Sequence, residues 1–111
     1  MARKTHAFAR PTVDAAAVLG AQIAQARRAR GWTAAELGER VGVSARTITA
    51  VEHGSPTVTL GTALEAATLL GVPLFGAEGP ELATLARQGR DRLALLPRRV
   101  RRGREPVRDD F

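Results

Sequence analysis

The sequence predicts an all-α fold, a compact bundle of about five helices with charged, mobile ends. Three observations carry that expectation. Apolar residues recur every three to four positions in segment after segment, and each segment is bounded by Gly, Pro, Ser or Thr. Aromatics are scarce, with three Phe, one Trp and no Tyr, so the core must be built from Ala, Leu, Val and Ile. Such side chains suit closely packed helices better than a sheet, and no stretch alternates in the manner of a strand. At 111 residues and 44% hydrophobic content, the chain can form one core of modest size and is not disordered throughout.

Residues 1–12 are basic, lack periodicity and include Pro11, and are expected to form a mobile arm. From Val13 to Arg30 the residues favour helix, with Leu19, Ile23 and Ala26 on one face and Gly31 as the stop. Thr33-Ala-Ala-Glu36 is a capping box that opens a short helix through about Val41. Gly42 offers a left-handed residue for a tight turn, and Ser44 caps a third helix that runs to about His53 and closes at Gly54. Ser55-Pro56 marks a loop. Thr59 caps a fourth helix whose expected face is Leu60, Leu64, Ala67 and Leu70, and Val72 to Phe75 then leaves in extended form. Gly79-Pro80 restarts a helix along Leu82, Leu85, Ala86, Leu93 and Leu96. The expected divisions are an arm at 1–12, a helical domain at 13–76, a C-terminal helix at 77–97 whose Leu82–Leu96 face suits a dimer or partner contact, and a flexible charged tail at 98–111.

The formal net charge is +6, and its distribution says more than its size. Residues 1–30 hold six basic side chains against Asp14, whereas residues 31–80 hold Arg40 and Arg46 against five glutamates. Residues 81–111 hold nine arginines against five acids. Basic flanks favour a polyanion partner through phosphate neutralisation, although arginine also serves solubility and follows coding bias. The absence of cysteine excludes disulfides, thiolate metal sites and cysteine nucleophiles, and fits a cytoplasmic protein. His6 and His53 are far apart in sequence, so a metal site is not expected. No apolar run approaches the roughly 18 residues of a membrane span. No Gly-rich phosphate loop or nucleophile–histidine arrangement suggests an enzyme, and no cofactor is implied.

Function concentrates in residues 33–54, TAAELGERVGVSARTITAVEHG. These form two short helices joined by a turn at Gly42, each too short to be stable alone. Leu37, Val41, Ile48 and Val51 are expected to point inward, and Gly38 is small where the two helices approach. Ala45, Arg46, Thr49 and Ala50 are expected to point outward, short or polar enough to enter a groove about 12 Å wide.

With Arg27, Trp32-Thr33, Glu36-Leu37, Gly42-Val43-Ser44, Thr47-Ile48-Thr49 and Val51-Glu52-His53-Gly54, followed by Leu60, Leu64 and Leu70-Gly71-Val72, the stretch 20–72 resembles the Xre/Cro-cI type of helix-turn-helix regulator. That resemblance implies a lambda-repressor-like fold and a repressor acting as a homodimer on double-stranded operator DNA. It also implies that Arg27 and Glu52 pair between the first and third helices. Gly31-Trp32-Thr33 and Thr57-Val58-Thr59-Leu60-Gly61 look most like the HipB-type antitoxins, dimeric repressors that also bind a HipA-type kinase toxin. Two positions depart from the pattern. Ala34 stands where the family usually has a phosphate-binding Gln, which shifts that work to backbone amides, Arg40 or the flanks. Gly38 stands where Ala is common.

The expected DNA-binding residues are Thr33, Arg40, Ser44, Ala45, Arg46, Thr47, Thr49 and Ala50. Arg46 suits either a bidentate contact to guanine O6 and N7 or a phosphate. Ser44 is first a helix cap and second a DNA contact, and Thr47 and Thr49 suit a thymine methyl, a phosphate or a partly exposed helix face. Trp32 is expected in the core. The tail arginines from Arg98 to Arg108 suit DNA, a toxin or solubility alone. Three classes therefore stay open: a stand-alone regulator, an antitoxin, and an interaction module that no longer reads DNA.

Overall fold

A computed structural model describes residues 7–100. It contains five helices: α1 (Arg10–Ala29), α2 (Ala34–Val41), α3 (Ala45–Glu52), α4 (Leu60–Leu69) and α5 (Gly79–Ala94). The chain divides between residues 79 and 80 into two compact units. Residues 1–6 of the expected arm and 101–111 of the expected tail lie outside the described residues.

In the first unit α2 packs on α3, and α1 and α4 close around them. Ile23, Leu37 and Ile48 are fully buried, joined by Val51, Ala63, Ala66, Ala67 and Leu70. Leu19, Ala26, Val41 and Trp32 pack against that cluster from its edge. The inward set expected of α2 and α3 is thus in place, with Val41 half-buried.

Three local expectations are corrected. α1 begins at Arg10, not Val13, so residues 10–12 belong to the helix and not to an arm. Pro11 falls in the first turn, where its missing N–H has no helical partner to lose, and Arg10 Nε donates to Asp14 one turn on at 3.1 Å. The buried face of α4 is Ala63, Ala66, Ala67 and Leu70, while Leu60 is 73% exposed. Helical side chains tilt towards the N-terminus, so Leu60 at the first position overhangs the end of the helix.

The third correction concerns Phe75, which turns out of the extended stretch expected over residues 72–75. Leu74 and Ala77 exchange two backbone hydrogen bonds, 3.2 and 3.0 Å, around a tight turn at Phe75-Gly76. Both central residues have positive φ, 55° at Phe75 and 69° at Gly76. That is the sign pattern of a type I′ turn, unusual for a bulky residue such as Phe.

Candidate nucleic-acid interface

Each helix of the two-helix unit starts at a side chain that replaces a missing helical partner. Thr33 Oγ1 accepts from the Glu36 N–H at 3.0 Å, and the Thr33 N–H donates to Glu36 Oε1 at 2.7 Å, so the expected capping box is present. α2 ends at Gly42, whose φ of 94° favours glycine. The Gly42 and Val43 N–H groups both donate to the Gly38 carbonyl, at 2.7 and 2.8 Å. α3 opens at Ser44, whose Oγ accepts from the Thr47 N–H at 3.1 Å. These caps set the direction of α3 within a turn of only a few residues.

Gly38 and Gly20 are among the glycines that allow close approaches. A methyl group at Gly38 would stand 2.6 Å from the Val43 carbonyl oxygen, so the alanine common in the resembling family does not fit this turn. Gly20, inside α1, would collide with the carbonyl oxygens of Val51 and Glu52 at the end of α3 if it carried a Cβ. Nothing in the linear sequence flagged Gly20 except its place in mid-helix, where glycine is disfavoured.

Arg27 and Glu52 tie α1 to α3. Arg27 Nε donates to Glu52 Oε2 at 2.6 Å and Nη2 donates to Oε1 at 2.9 Å, a two-pronged pair. Their side chains are 12% and 9% exposed. Arg27 Nη1 also donates to the Trp32 carbonyl at 2.7 Å, which fixes the chain between α1 and α2. The hydrogen bond to Glu52 raises the pKa of Arg27 above the ordinary arginine range, outweighing the opposing effect of burial, with the charge of Glu52 adding to the rise. A raised cation stabilises the fold at every pH below the ordinary arginine range and loses that effect only as pH climbs through the raised value.

Trp32 has a second role that sequence reasoning missed. Its ring packs on the core edge, yet the Arg40 guanidinium lies 4.2 Å from the ring centroid and that of Arg30 5.3 Å. Arg40 of α2 is therefore held in place by stacking. The clue was a lone tryptophan among arginines, which does not reveal which of them meets the ring.

The residues expected to read DNA fall on α2, α3 and their caps. Thr33, Arg40, Ser44, Ala45, Arg46 and Thr49 are exposed, while Thr47 and Ala50 are half-buried. Thr33 and Ser44 are engaged as caps, and the Thr47 hydroxyl shares a 3.1 Å hydrogen bond with that of Ser44. The His53 ring donates from Nδ1 to the Thr49 carbonyl at 2.9 Å, leaving the Thr49 side chain uncommitted. Arg46 makes no hydrogen bond, ion pair or ring contact among the described residues. Beside them, the first amides of α2 and α3 lack helical acceptors, as at any helix start.

Among the described residues no cluster of three or more His, Asp or Glu side chains could hold a metal ion. No described helix is long and apolar enough to cross a membrane. No curated protein and no solved structure matches the chain. A family model described as a helix-turn-helix domain matches residues 18–85, which take in the whole of α2, its turn and α3. The chain belongs to that helix-turn-helix family.

Proposed function

We propose that this chain is a sequence-specific, non-enzymatic DNA-binding regulator of the cytoplasm, a repressor that binds operator DNA as a dimer. The single observation that carries the reading is the outer row of α3. Ala45, Arg46 and Thr49 are exposed, and Arg46 is the arginine of the two-helix unit with no partner among the described residues. A small residue, an uncommitted guanidinium and a free threonine side chain let the helix enter the major groove and reach base edges. Arg40, held on Trp32, and the first-turn amides of α2 lie on the flanking helix, the one that crosses the phosphate backbone in such motifs. They take over the phosphate contact that Ala34 does not make. Two copies would meet half-sites about one helical turn, ~34 Å, apart.

The test is selection from random duplexes followed by binding of Arg46→Ala. A two-fold symmetric consensus is expected, and the variant should lose about 1–3 kcal/mol on it with little loss on random DNA. Equal losses on both would assign Arg46 to the backbone, and failure to enrich any sequence would leave the chain as an interaction module.

A second reading, that the regulator is also the antitoxin of a HipA-type kinase toxin, rests on the resemblance at Thr57–Gly61. It is favoured by apolar surface beyond the DNA-facing helices, Leu60 at 73% and Phe75 at 82% exposure. Co-purification of the kinase encoded beside this gene supports it, and the lack of any such neighbouring gene counts against it.

A further inference from the structure

α1 and the segment that follows α4 leave a cleft of about 410 Å³ between them. Gln22, Gln25, Ala26 and Ala29 form one wall, recurring at helical spacing along a single stripe of α1. Residues 70–73 form the other, where Leu70 and Val72 supply apolar surface and Gly71 adds no side chain. Neither glutamine makes a side-chain hydrogen bond among the described residues, and none of the lining residues is charged. An apolar cleft of this size with a few polar groups on its rim has the usual form of a small-molecule site.

The charge beside it comes from Arg30, which caps the end of α1. Arg30 Nη2 donates to the Leu70 carbonyl at 3.4 Å, a long hydrogen bond, and lies 3.8 Å from where a Cβ on Gly71 would stand. The same guanidinium is 5.3 Å from the Trp32 centroid, further off than that of Arg40 at 4.2 Å. It has no carboxylate partner among the described residues. Arg30 is thus held weakly on both sides, and a carboxylate at about 2.8 Å would displace both contacts. We propose that the cleft binds a small amphipathic carboxylate, and that its occupancy weakens the hold of the chain on DNA. The carboxylate takes Arg30, and the apolar body lies along Ala26, Ala29, Leu70 and Val72. Gln22 and Gln25 are left for polar substituents of the ligand. The stripe from Gln22 to Ala29 runs about 10 Å, which suits a body of about eight carbons.

Arg30 also connects the cleft to the DNA side. The carbons of the Arg30 and Arg40 guanidinium groups stand 5.3 and 4.2 Å from the same indole centroid, so they are no more than 9.5 Å apart. A carboxylate on Arg30 cancels a positive charge beside the arginine assigned above to phosphate, and leaves Trp32 to Arg40 alone. Both effects lower the affinity for a polyanion. By linkage, DNA must weaken the ligand by the same factor. The coupling rests on the DNA-binding reading above, whereas the site itself does not.

The experiment is an NMR titration of the isotope-labelled full chain with octanoate, at fixed ionic strength and without DNA. The amide signals of Ala26, Ala29, Gly71 and Val72 should shift together and saturate with a Kd of about 1 mM, in keeping with a ligand of about ten non-hydrogen atoms. Octylamine has the body without the negative charge, and acetate the charge without the body. Neither should move those signals at the same concentration. Arg30→Gln, at an exposed position, should keep the circular dichroism of the wild type and weaken octanoate by about ten-fold or more. Ala29→Phe, which fills the cleft from the surface of α1, should do the same. No saturable shift at the cleft, equal shifts with octylamine, or unchanged affinity in a folded Arg30→Gln would each overturn the site. On the selected operator, saturating octanoate should weaken wild-type binding roughly five-fold and leave binding by Arg30→Gln as it was. Undiminished operator binding at saturation would overturn the coupling. Failure of operator selection leaves the NMR readouts untouched, so the two ideas fail separately.

Discussion

α1 and α5 are both long amphipathic helices, and they are used in opposite ways. α1 buries Ile23 fully, presses Gly20 against the end of α3 and sends Arg27 into an ion pair. α5 buries nothing. Their sequences differ little in apolar periodicity, so periodicity shows that a face exists without showing what covers it. The glycines make the same contrast. Gly20 in α1 is required by a neighbouring backbone inside the chain, whereas Gly89 in α5 has open space around it.

The largest expected effect separates the two regions outright. Leu37→Ala empties a fully buried site and should destabilise the chain by about 4 kcal/mol in urea denaturation. Leu85→Ala, at 45% exposure in α5, should cost less than about 1 kcal/mol in dilute protein. Similar losses at both sites would erase the distinction between a helix that builds a core and one that does not.

Next comes the pair that anchors α1. Arg27→Met and Glu52→Gln should each cost about 3 kcal/mol by leaving the other charge mostly buried and unpaired. The double variant should lose less than the sum of the two, and additive losses in the cycle would dissolve the coupling.

Glycine replacement should then change sign between the helices. Gly20→Ala should destabilise by about 2 kcal/mol, since the obstructing atoms are backbone and cannot swing aside. Gly89→Ala should raise the stability of α5 by up to about 1 kcal/mol in the monomer, read as increased helix content.

Much of the first unit was legible beforehand because its signals are local. Thr33 with Glu36, Ser44 and Gly42 each satisfy a backbone need visible within a few residues, and the structure places all of them as expected. The Arg27–Glu52 pair followed from resemblance, since residues 25 positions apart carry no local mark of each other. What was not legible depends on tertiary fit. α4 is apolar around most of its circumference, so two overlapping stripes compete, and close packing selected the alanines over Leu60. Phe75 is the sharpest case, because nothing about a phenylalanine predicts positive φ. Exchanging it for Asn, which tolerates that conformation, should stabilise the chain by about 1 kcal/mol. An unchanged midpoint would show that the turn carries no strain.

The stacking of Arg40 on Trp32 has an optical consequence. With one tryptophan and no tyrosine, the ultraviolet emission of the chain comes from a single indole. That indole sits under a guanidinium of α2 and beside the segment that Arg27 holds between α1 and α2. Any phosphate that draws Arg40 from the ring changes the electric field at the fluorophore. A polyanion that reached Arg40 would thus be reported by the chain itself, without a label.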